Sequence, residues 1–249
     1  MDEMAVMAEI YRPMIRQGPG SDAMSERAME LAGLDQGSGF RVADIGCGTG
    51  AASILLAERH AADVVAVDLF ESFLEGVQER AREAGVADRI STLAASMDDL
   101  PFDAEEFDVI WSEGAAYNVG FAEAARYWRQ FLRPGGILVV SEITWTTAQR
   151  PREIEDFWVG QYPQIDLASA KIEVLEQSGY RPEGFFMLPE DCWTQNFYEP
   201  LEERLSAVER VNGPDPVVTE VVAAHRHELD LYRRFGQYYS YGMFVARRT

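Results

Sequence analysis

The segment Ala43-Asp44-Ile45-Gly46-Cys47-Gly48-Thr49-Gly50-Ala51 constrains the fold of this chain more than any other part of it. It follows a short apolar run over 41–45 and precedes a helical pattern over 51–60. Because glycine has no Cβ, its backbone can turn sharply and can approach a bound group closely. A glycine-rich loop between a buried strand and a helix is typical of ligand-binding α/β folds.

Short apolar runs alternate with helical patterns through the first part of the chain. The runs predict strands over 41–45, 63–68, 89–94, 107–111 and 137–142, and the patterns predict helices over 51–60, 71–84 and 121–131. Arg133-Pro134-Gly135-Gly136 predicts a turn before the fifth strand. Runs that are apolar throughout favour strands covered on both faces, as in βαβ units. We therefore predict an α/β fold with a doubly wound, Rossmann-like sheet.

The two ends of the chain are mainly helical additions to this sheet. Two short helices within 2–34 are separated by a break at 16–21, where glycine and proline cluster. After residue 142 we predict a helix over 168–178, a strand over 184–188, helices over 201–211 and 217–235, and a last strand over 241–246. The prediction is one domain over 1–249, with a cap (1–35), a core (36–145), additions on the substrate side (146–240) and the last strand (241–249). The additions are expected to form a lid.

The charge of the chain limits its partners. The net charge is −20, and such an acidic surface repels nucleic-acid backbones and anionic lipids. The two cysteines, Cys47 and Cys192, do not make a disulfide framework. No signal-peptide pattern and no apolar run of membrane-spanning length is present. We expect a cytoplasmic protein that acts on a small molecule, as a monomer or homodimer.

The glycine loop is compatible with two cofactors. Read as G-x-G-x-x-A, it matches a dinucleotide fingerprint, and Asp68 at the end of the second strand suits ribose hydroxyls in NAD or in S-adenosylmethionine (SAM). Asp44, directly before the loop, suits the cationic amine of a methionine moiety better than a pyrophosphate. After the third strand, Met97 is suited to packing on an adenine ring and Asp98 to accepting from its amine. These features favour SAM.

Together with the turn before the fifth strand, this pattern resembles class I SAM-dependent methyltransferases. The resemblance covers 39–142 at the level of motifs and implies a seven-stranded sheet whose last strand is antiparallel. Three further segments resemble a bacterial subgroup of small-molecule methyltransferases: Arg16-Gln17-Gly18-Pro19-Gly20-Ser21, 111–121 with Glu113-Gly114-Ala115-Ala116-Tyr117-Asn118-Val119-Gly120-Phe121, and 189–193.

The resemblance implies a set of positions that hold SAM. In chain order these are Arg16 and Gln17 over the carboxylate, Gly46, Gly48 and Gly50 at the methionine part and ribose, Asp68 on the ribose hydroxyls, Leu69 beside the adenine, Met97 and Asp98 on the adenine, and Glu113 near the amine and sulfonium. The product of methyl transfer would be S-adenosyl-L-homocysteine.

Methyl transfer from a sulfonium makes few demands on catalytic side chains. The leaving group departs neutral, so alignment in a dry pocket supplies much of the rate, and a base is needed only when the acceptor must lose a proton. Tyr117 and Asn118 are candidates for orienting the acceptor, with Tyr117 and Glu113 as candidate catalytic residues. Asn118 could instead cap the following helix, and Tyr117 could be packing.

The later aromatic residues could form an acceptor lid that suits a cationic amine. Trp193, with Glu190 and Asp191 before it, is the candidate we single out for substrate binding, although each aromatic residue could also be core. His225 or His227 could serve as a base, but their spacing argues against a joint metal site, and we expect no metal.

We therefore predict a methyltransferase that acts on a small molecule at nitrogen or oxygen by in-line displacement. An enzyme using a modified SAM, a SAM-binding protein without catalysis and a nicotinamide oxidoreductase are the alternatives.

Overall fold

The computed structural model describes residues 2–34 and 39–249. Its centre is a single sheet in the order β3-β2-β1-β4-β5-β8-β7, with the short β6 paired to β5. The strands are β1 (Arg41–Ile45), β2 (Asp63–Asp68), β3 (Ile90–Ala94), β4 (Phe107–Glu113), β5 (Leu132–Trp145), β6 (Asp166–Leu167), β7 (Tyr180–Met187) and β8 (Tyr239–Arg248).

Ten α-helices are present in the described parts of the chain. They are α1 (Glu3–Tyr11), α2 (Asp22–Ala32), α3 (Ala51–His60), α4 (Glu71–Glu83), α5 (Phe121–Trp128), α6 (Arg152–Gln161), α7 (Ala168–Gln177), α8 (Glu190–Trp193), α9 (Glu199–Asn212) and α10 (Pro216–Phe235). None of the helices described within 2–34 and 39–249 is long and apolar enough to cross a membrane.

The sheet is parallel except at its last strand. β1 pairs in parallel with β2 and β4, and β4 pairs in parallel with β5. β8 runs antiparallel to both β5 and β7. The predicted sheet with an antiparallel last strand is therefore confirmed. The predicted number of seven strands has to be corrected to eight, because the two-residue β6 adds to the edge of β5.

Alternate residues of each central strand enter two different hydrophobic cores, one on each face of the sheet. On β1, Val42 belongs to the core beneath α1 to α3, α9 and α10, whereas Ala43 belongs to the core beneath α5 and α7. Both faces are apolar because both are covered by helices. The polar ends of the strands therefore provide the places where the sheet can meet a ligand.

The predicted boundaries of the core elements agree closely with the structure, and the differences lie later in the chain. The segment over 133–136, predicted as a turn, is part of β5, although its pairing with β4 shifts register between Phe107 and Val109. The helices α6 and α8 were not predicted. The predicted division of the chain at 35 and 36 falls outside the described residues and stays a prediction.

The helical additions meet above the strand ends. α1 packs against α9 and α10, and α2 packs against β7 and β8. The loop between α1 and α2 crosses the carboxyl end of β1, because Gln17 and Met14 bond to Thr49 of the glycine loop. One end of the sheet and this helical cap thus enclose the same space.

Candidate functional site

A cavity of about 740 Å³ lies between the strand ends and the helical cap. Loops after β1, β2, β3 and β4 form one side of it, and α1 with the segment that follows α1 forms the other. Its volume is in the range of pockets that hold cofactors and small ligands. The sequence-predicted residues that line it are Arg16, Gln17, Asp44, Gly46, Gly48, Asp68, Leu69, Met97, Asp98, Glu113, Tyr117 and Asn118.

The glycine loop presents its surface to this cavity but not its backbone donors. The N–H groups of Gly46 and Cys47 both donate to the Val67 carbonyl at 2.9 Å. Further along, Gly48 donates to Asp68 Oδ2 at 2.8 Å and Thr49 donates to Gln17 Oε1 at 3.0 Å. Gly50 donates to the Cys47 carbonyl. All five loop N–H groups are therefore satisfied within the protein.

Two of the glycines are required by close packing. Gly46 has φ of +72°, and a Cβ there would collide with the side chain of Ala115. Gly48 has φ of +55°, and a Cβ there would collide with the amide of Gln17. Both positions combine a backbone conformation that favours glycine with no space for a side chain.

Asp68 is held in place by backbone donors on two sides. Its Oδ2 accepts from Gly48 N and its Oδ1 accepts from Phe70 N at 3.0 Å. Burial raises the pKa of Asp68, and the hydrogen bonds from Phe70 and Gly48 oppose that rise. Each carboxylate oxygen keeps a further lone-pair site, so Asp68 can also accept from hydroxyl groups of a ligand.

Asp44 is a buried carboxylate beside the cavity. Its Oδ2 accepts from Ser53 Oγ at 2.5 Å. Burial raises the pKa of Asp44 to about 7, while the Ser53 hydrogen bond lowers it. Within the described residues, no Lys or Arg forms an ion pair with Asp44. A cationic group in the cavity would stabilise its ionised form.

Arg16 and Glu113 form an ion pair in the wall of the cavity. Arg16 Nη1 lies 2.7 Å from Glu113 Oε2, and Arg16 Nη2 lies 2.8 Å from Asp22 Oδ1. Glu113 Oε1 also accepts from Ser25 Oγ at 2.6 Å and from Trp111 Nε1 at 3.0 Å. Arg16 is the one basic side chain among the described residues that line the cavity, and both of its terminal nitrogens are engaged.

The predicted adenine-side residues surround the outer part of the cavity. Leu69 is 62% exposed, so a large apolar surface is open there. The Met97 side chain lies beside Gly46, and its carbonyl accepts from Trp128 Nε1 at 2.9 Å. Asp98 is exposed and accepts a hydrogen bond from Ser96. These three residues come from the ends of two neighbouring strands.

Tyr117 and Asn118 lie on the short helical turn that follows β4. The Asn118 amide donates to the Ala115 carbonyl at 2.9 Å, and the N-cap of α5 is Gly120, so Asn118 does not cap that helix. The Tyr117 ring packs edge-on against Tyr162. Burial raises the pKa of the Tyr117 hydroxyl, which therefore stays a proton donor at neutral pH.

Comparison with known proteins identifies the architecture. Residues 42–136 match a family model described as a methyltransferase domain. A SAM-dependent methyltransferase from Geobacter sulfurreducens, solved with S-adenosyl-L-homocysteine, has the same fold with a TM-score of 0.86 over 98% of each chain, at 19% identity. The chain has the fold of the SAM-dependent methyltransferases.

The curated relatives match this chain over only part of their own length. Methyltransferase GfsG of Streptomyces halstedii is 32% identical over 123 residues, which are 49% of this chain and 44% of that protein. Erythromycin 3''-O-methyltransferase of Saccharopolyspora erythraea is 34% identical over 122 residues, which are 48% of this chain and 39% of that protein. The matched region thus spans less than half of either relative.

Two predicted site residues are not at the cavity. Gly50 does not line it, because this residue faces the side chain of Val77 on α4. Trp193, predicted to be part of an acceptor lid, is 1% exposed and donates to Ser240 Oγ at 2.8 Å. Its ring stacks on Tyr232, so Trp193 is a core residue of the methyltransferase fold and the lid prediction for it was wrong. Glu190 and Asp191 line a separate shallow depression.

Sequence reasoning missed the contribution of α1 to the cavity. Met4, Met7 and Tyr11 line it, three and four residues apart on one helical face. That spacing was a usable signal for a common face, but nothing in it indicated that the face meets the strand ends. In the described part of the chain both cysteines are free, and no group of three or more His, Cys, Asp or Glu side chains could hold a metal.

Proposed function

We propose that this protein transfers a methyl group from SAM to nitrogen or oxygen of a small-molecule acceptor. The observation that carries the proposal is the chemistry of the strand-end wall, which consists of Asp44, Gly46, Gly48 and Asp68. Two carboxylates line it without a basic partner in the described residues, and all five N–H groups of the glycine loop are already bonded. Such a wall suits a cation and hydroxyl groups.

The same wall is poorly suited to the pyrophosphate of a dinucleotide. A pyrophosphate needs free backbone donors or unpaired basic side chains. The loop N–H groups over 46–50 are engaged, and Arg16 is held between Glu113 and Asp22. Nearby carboxylates would repel its phosphates. This favours SAM over NAD as the ligand of the glycine loop.

The residues present fit SAM part by part. Asp44 would face its cationic amine, and Asp68 would accept from the two ribose hydroxyls. Leu69, Met97 and Asp98 would contact the adenine. SAM supplies an electrophilic methyl group on a sulfonium, whose departure as a neutral thioether requires no acid. Arg16, being paired within the protein, would act chiefly by holding Glu113 and the cap in position.

The acceptor would lie between the strand ends and the helical wall, which consists of Met4, Met7 and Tyr11 of α1 and, behind Tyr11, His225. The methionines of α1 provide an apolar surface there, and the Tyr117 hydroxyl provides a hydrogen-bond donor. The chain would exclude water and align the acceptor for in-line attack, which can supply much of the rate. The presence of methyltransferases of small molecules among the relatives supports this substrate class.

Labelled-methyl transfer tests the proposal. The protein is incubated with methyl-labelled SAM and a bacterial small-molecule extract, and labelled products are sought by mass spectrometry. We expect a new labelled metabolite, which would also identify the acceptor. At a SAM concentration well below the Kd of the variant, Asp68→Ala should form far less of it. Tight SAM binding without any labelled product would instead support a binding protein or an enzyme that uses the cofactor differently.

A further inference from the structure

Tyr11 and His225 connect two helices that are distant in the chain. The Tyr11 hydroxyl lies 2.9 Å from His225 Nε2, and His225 Nδ1 lies 2.7 Å from the Val221 carbonyl. A carbonyl can only accept a hydrogen bond, so Nδ1 carries a proton. In the neutral imidazole Nε2 is then the acceptor, and the Tyr11 hydroxyl must donate to it. The contacts therefore assign both the tautomer and the direction of the bond.

This pair reaches the cavity through its tyrosine. Tyr11 lines the cavity, whereas His225 lies behind Tyr11 and does not line it. The pKa of Tyr11 is raised by burial and then by the nearby Glu228 carboxylate, so the phenol stays protonated. A protonated phenol can still take a proton from a bound molecule if its own hydroxyl proton moves to a neighbouring base at the same time.

Glu228 lies one helical turn after His225 and can support a charge on it. Residues three apart on a helix are neighbours, and a positive charge on His225 would lower the otherwise raised pKa of the half-buried Glu228. Glu228 Oε1 accepts from the Tyr198 hydroxyl at 2.9 Å, which fixes its position. An imidazolium at His225 would thus have a carboxylate close by.

We propose that Tyr11 and His225 form a proton relay that deprotonates the methyl acceptor. This inference rests on the proposed function and deepens it. The acceptor gives its proton to Tyr11 Oη while the Tyr11 proton moves to His225 Nε2. The freed electron pair of the acceptor forms the new bond to the methyl carbon, and the pair of the breaking carbon–sulfur bond goes to sulfur. The imidazolium then returns its proton to solvent.

The relay defines the class of acceptor. A base is useful only when the methylated atom carries a proton that has to leave. The acceptor should therefore be a hydroxyl compound or a protonated amine. A thioether or an unprotonated tertiary amine has no such proton and would gain nothing from the pair. Tyr11 would be the catalytic residue, and His225 would act through it.

A purely structural bond between α1 and α10 is the competing explanation. It predicts that replacing His225 harms stability and that nothing added to the solution restores the rate. The relay predicts chemical rescue, because free imidazole can occupy the space left by His225→Ala and accept the proton. His227 lies two residues away on the same helix, is exposed and does not line the cavity, so His227→Gln is a matched control.

The first part of the test needs no acceptor. Nitrogen-15 NMR of the imidazole side chains should show that His225 is protonated at Nδ1 and unprotonated at Nε2. The His225→Gln variant assigns its resonances. Tyr11→Phe should shift the Nε2 resonance toward that of an imidazole whose Nε2 accepts no hydrogen bond. A ring protonated at Nε2 and bare at Nδ1 would overturn the relay, because the phenol would then have no base.

The second part uses the labelled product from the extract. We expect Tyr11→Phe and His225→Ala to lower its rate of formation about 100-fold or more, with SAM affinity retained. Added imidazole should restore His225→Ala in a concentration-dependent way and should not restore Tyr11→Phe. A wild-type rate in His225→Ala, or a loss that imidazole does not restore, would overturn the relay alone. Absence of product from the wild-type protein would overturn the proposed function and the relay with it.

Discussion

The strand-end wall and the helical wall face the same cavity but are built in different ways. In the strand-end wall, every side chain lies within a few residues of the end of a parallel strand. Asp68 accepts from backbone N–H groups, and Asp44 accepts from the nearby Ser53 hydroxyl. In the helical wall, Tyr11 and His225 meet across 214 residues of sequence. Local chain geometry fixes the first wall, whereas only tertiary packing fixes the second. We therefore expect the two walls to respond differently to substitution.

The largest effect is expected outside both walls, in the core where Trp193 stacks on Tyr232 of α10. Trp193→Ala should lower the free energy of unfolding by about 3–5 kcal/mol, because a large buried ring and its bond to Ser240 are lost. Chemical denaturation measures this. Trp193→Phe should cost less, since it keeps a ring against Tyr232. If Trp193→Ala had unchanged stability and a raised KM for the acceptor, Trp193 would contact the acceptor instead of the core.

The ion pair between the walls should give the next largest effect. Arg16→Ala leaves Glu113 without its cation in a mostly buried position and should destabilise the protein by about 3 kcal/mol. Combining it with Glu113→Gln should cost less than the sum of the two single changes. Denaturation of all four proteins gives the coupling energy. Strict additivity would show that the pair contributes nothing as a pair.

In the strand-end wall the expected effect is on affinity. Asp68→Ala removes the proposed acceptor for the ribose hydroxyls and should weaken SAM binding about 100-fold, since hydrogen bonds to charged groups are strong. Titration calorimetry measures the Kd. Asp63→Ala is the control, because Asp63 begins the same strand at its opposite end and is exposed. Equal affinities in the two variants would remove Asp68 from the site.

A smaller effect is expected from the glycine loop itself. Gly48→Ala should destabilise the protein by about 2 kcal/mol, because positive φ is strained for alanine and its methyl would meet Gln17. Gly85 has φ of +72° and open space where a Cβ would lie, so Gly85→Ala isolates the backbone strain. Its loss of stability, measured by thermal denaturation, should be about half that of Gly48→Ala. Equal losses of stability in the two variants would show that the Gln17 side chain moves aside at no measurable cost in free energy.

The pH dependence of stability due to Asp44 tests the strand-end wall without any ligand. Its pKa in the folded protein is about 7, above the ordinary value for an aspartate, so the folded state binds this proton more tightly than the unfolded chain does. The stability it contributes is complete below about pH 4 and is lost as the pH rises through 7. The difference in Tm between Asp44→Asn and wild type should therefore increase in favour of Asp44→Asn as the pH rises from 5 to 8. A constant difference across this range would contradict the raised pKa.

These differences explain what the sequence could predict. Asp44, Gly46, Gly48 and Asp68 could be placed because strand ends and glycine loops are readable from short patterns. Trp193 could not, because an aromatic residue in a late helix has the same local pattern whether it faces a ligand or a core. Tyr11 was missed because α1 reaches the cavity only through its packing on α9 and α10.

Calorimetric titration of the wild-type protein with SAM shows whether the strand-end wall holds this cofactor. We expect one binding site per chain, from which S-adenosyl-L-homocysteine displaces SAM and NADH does not. Absence of SAM binding, or displacement of SAM by NADH, would contradict the assignment of the strand-end wall to this cofactor.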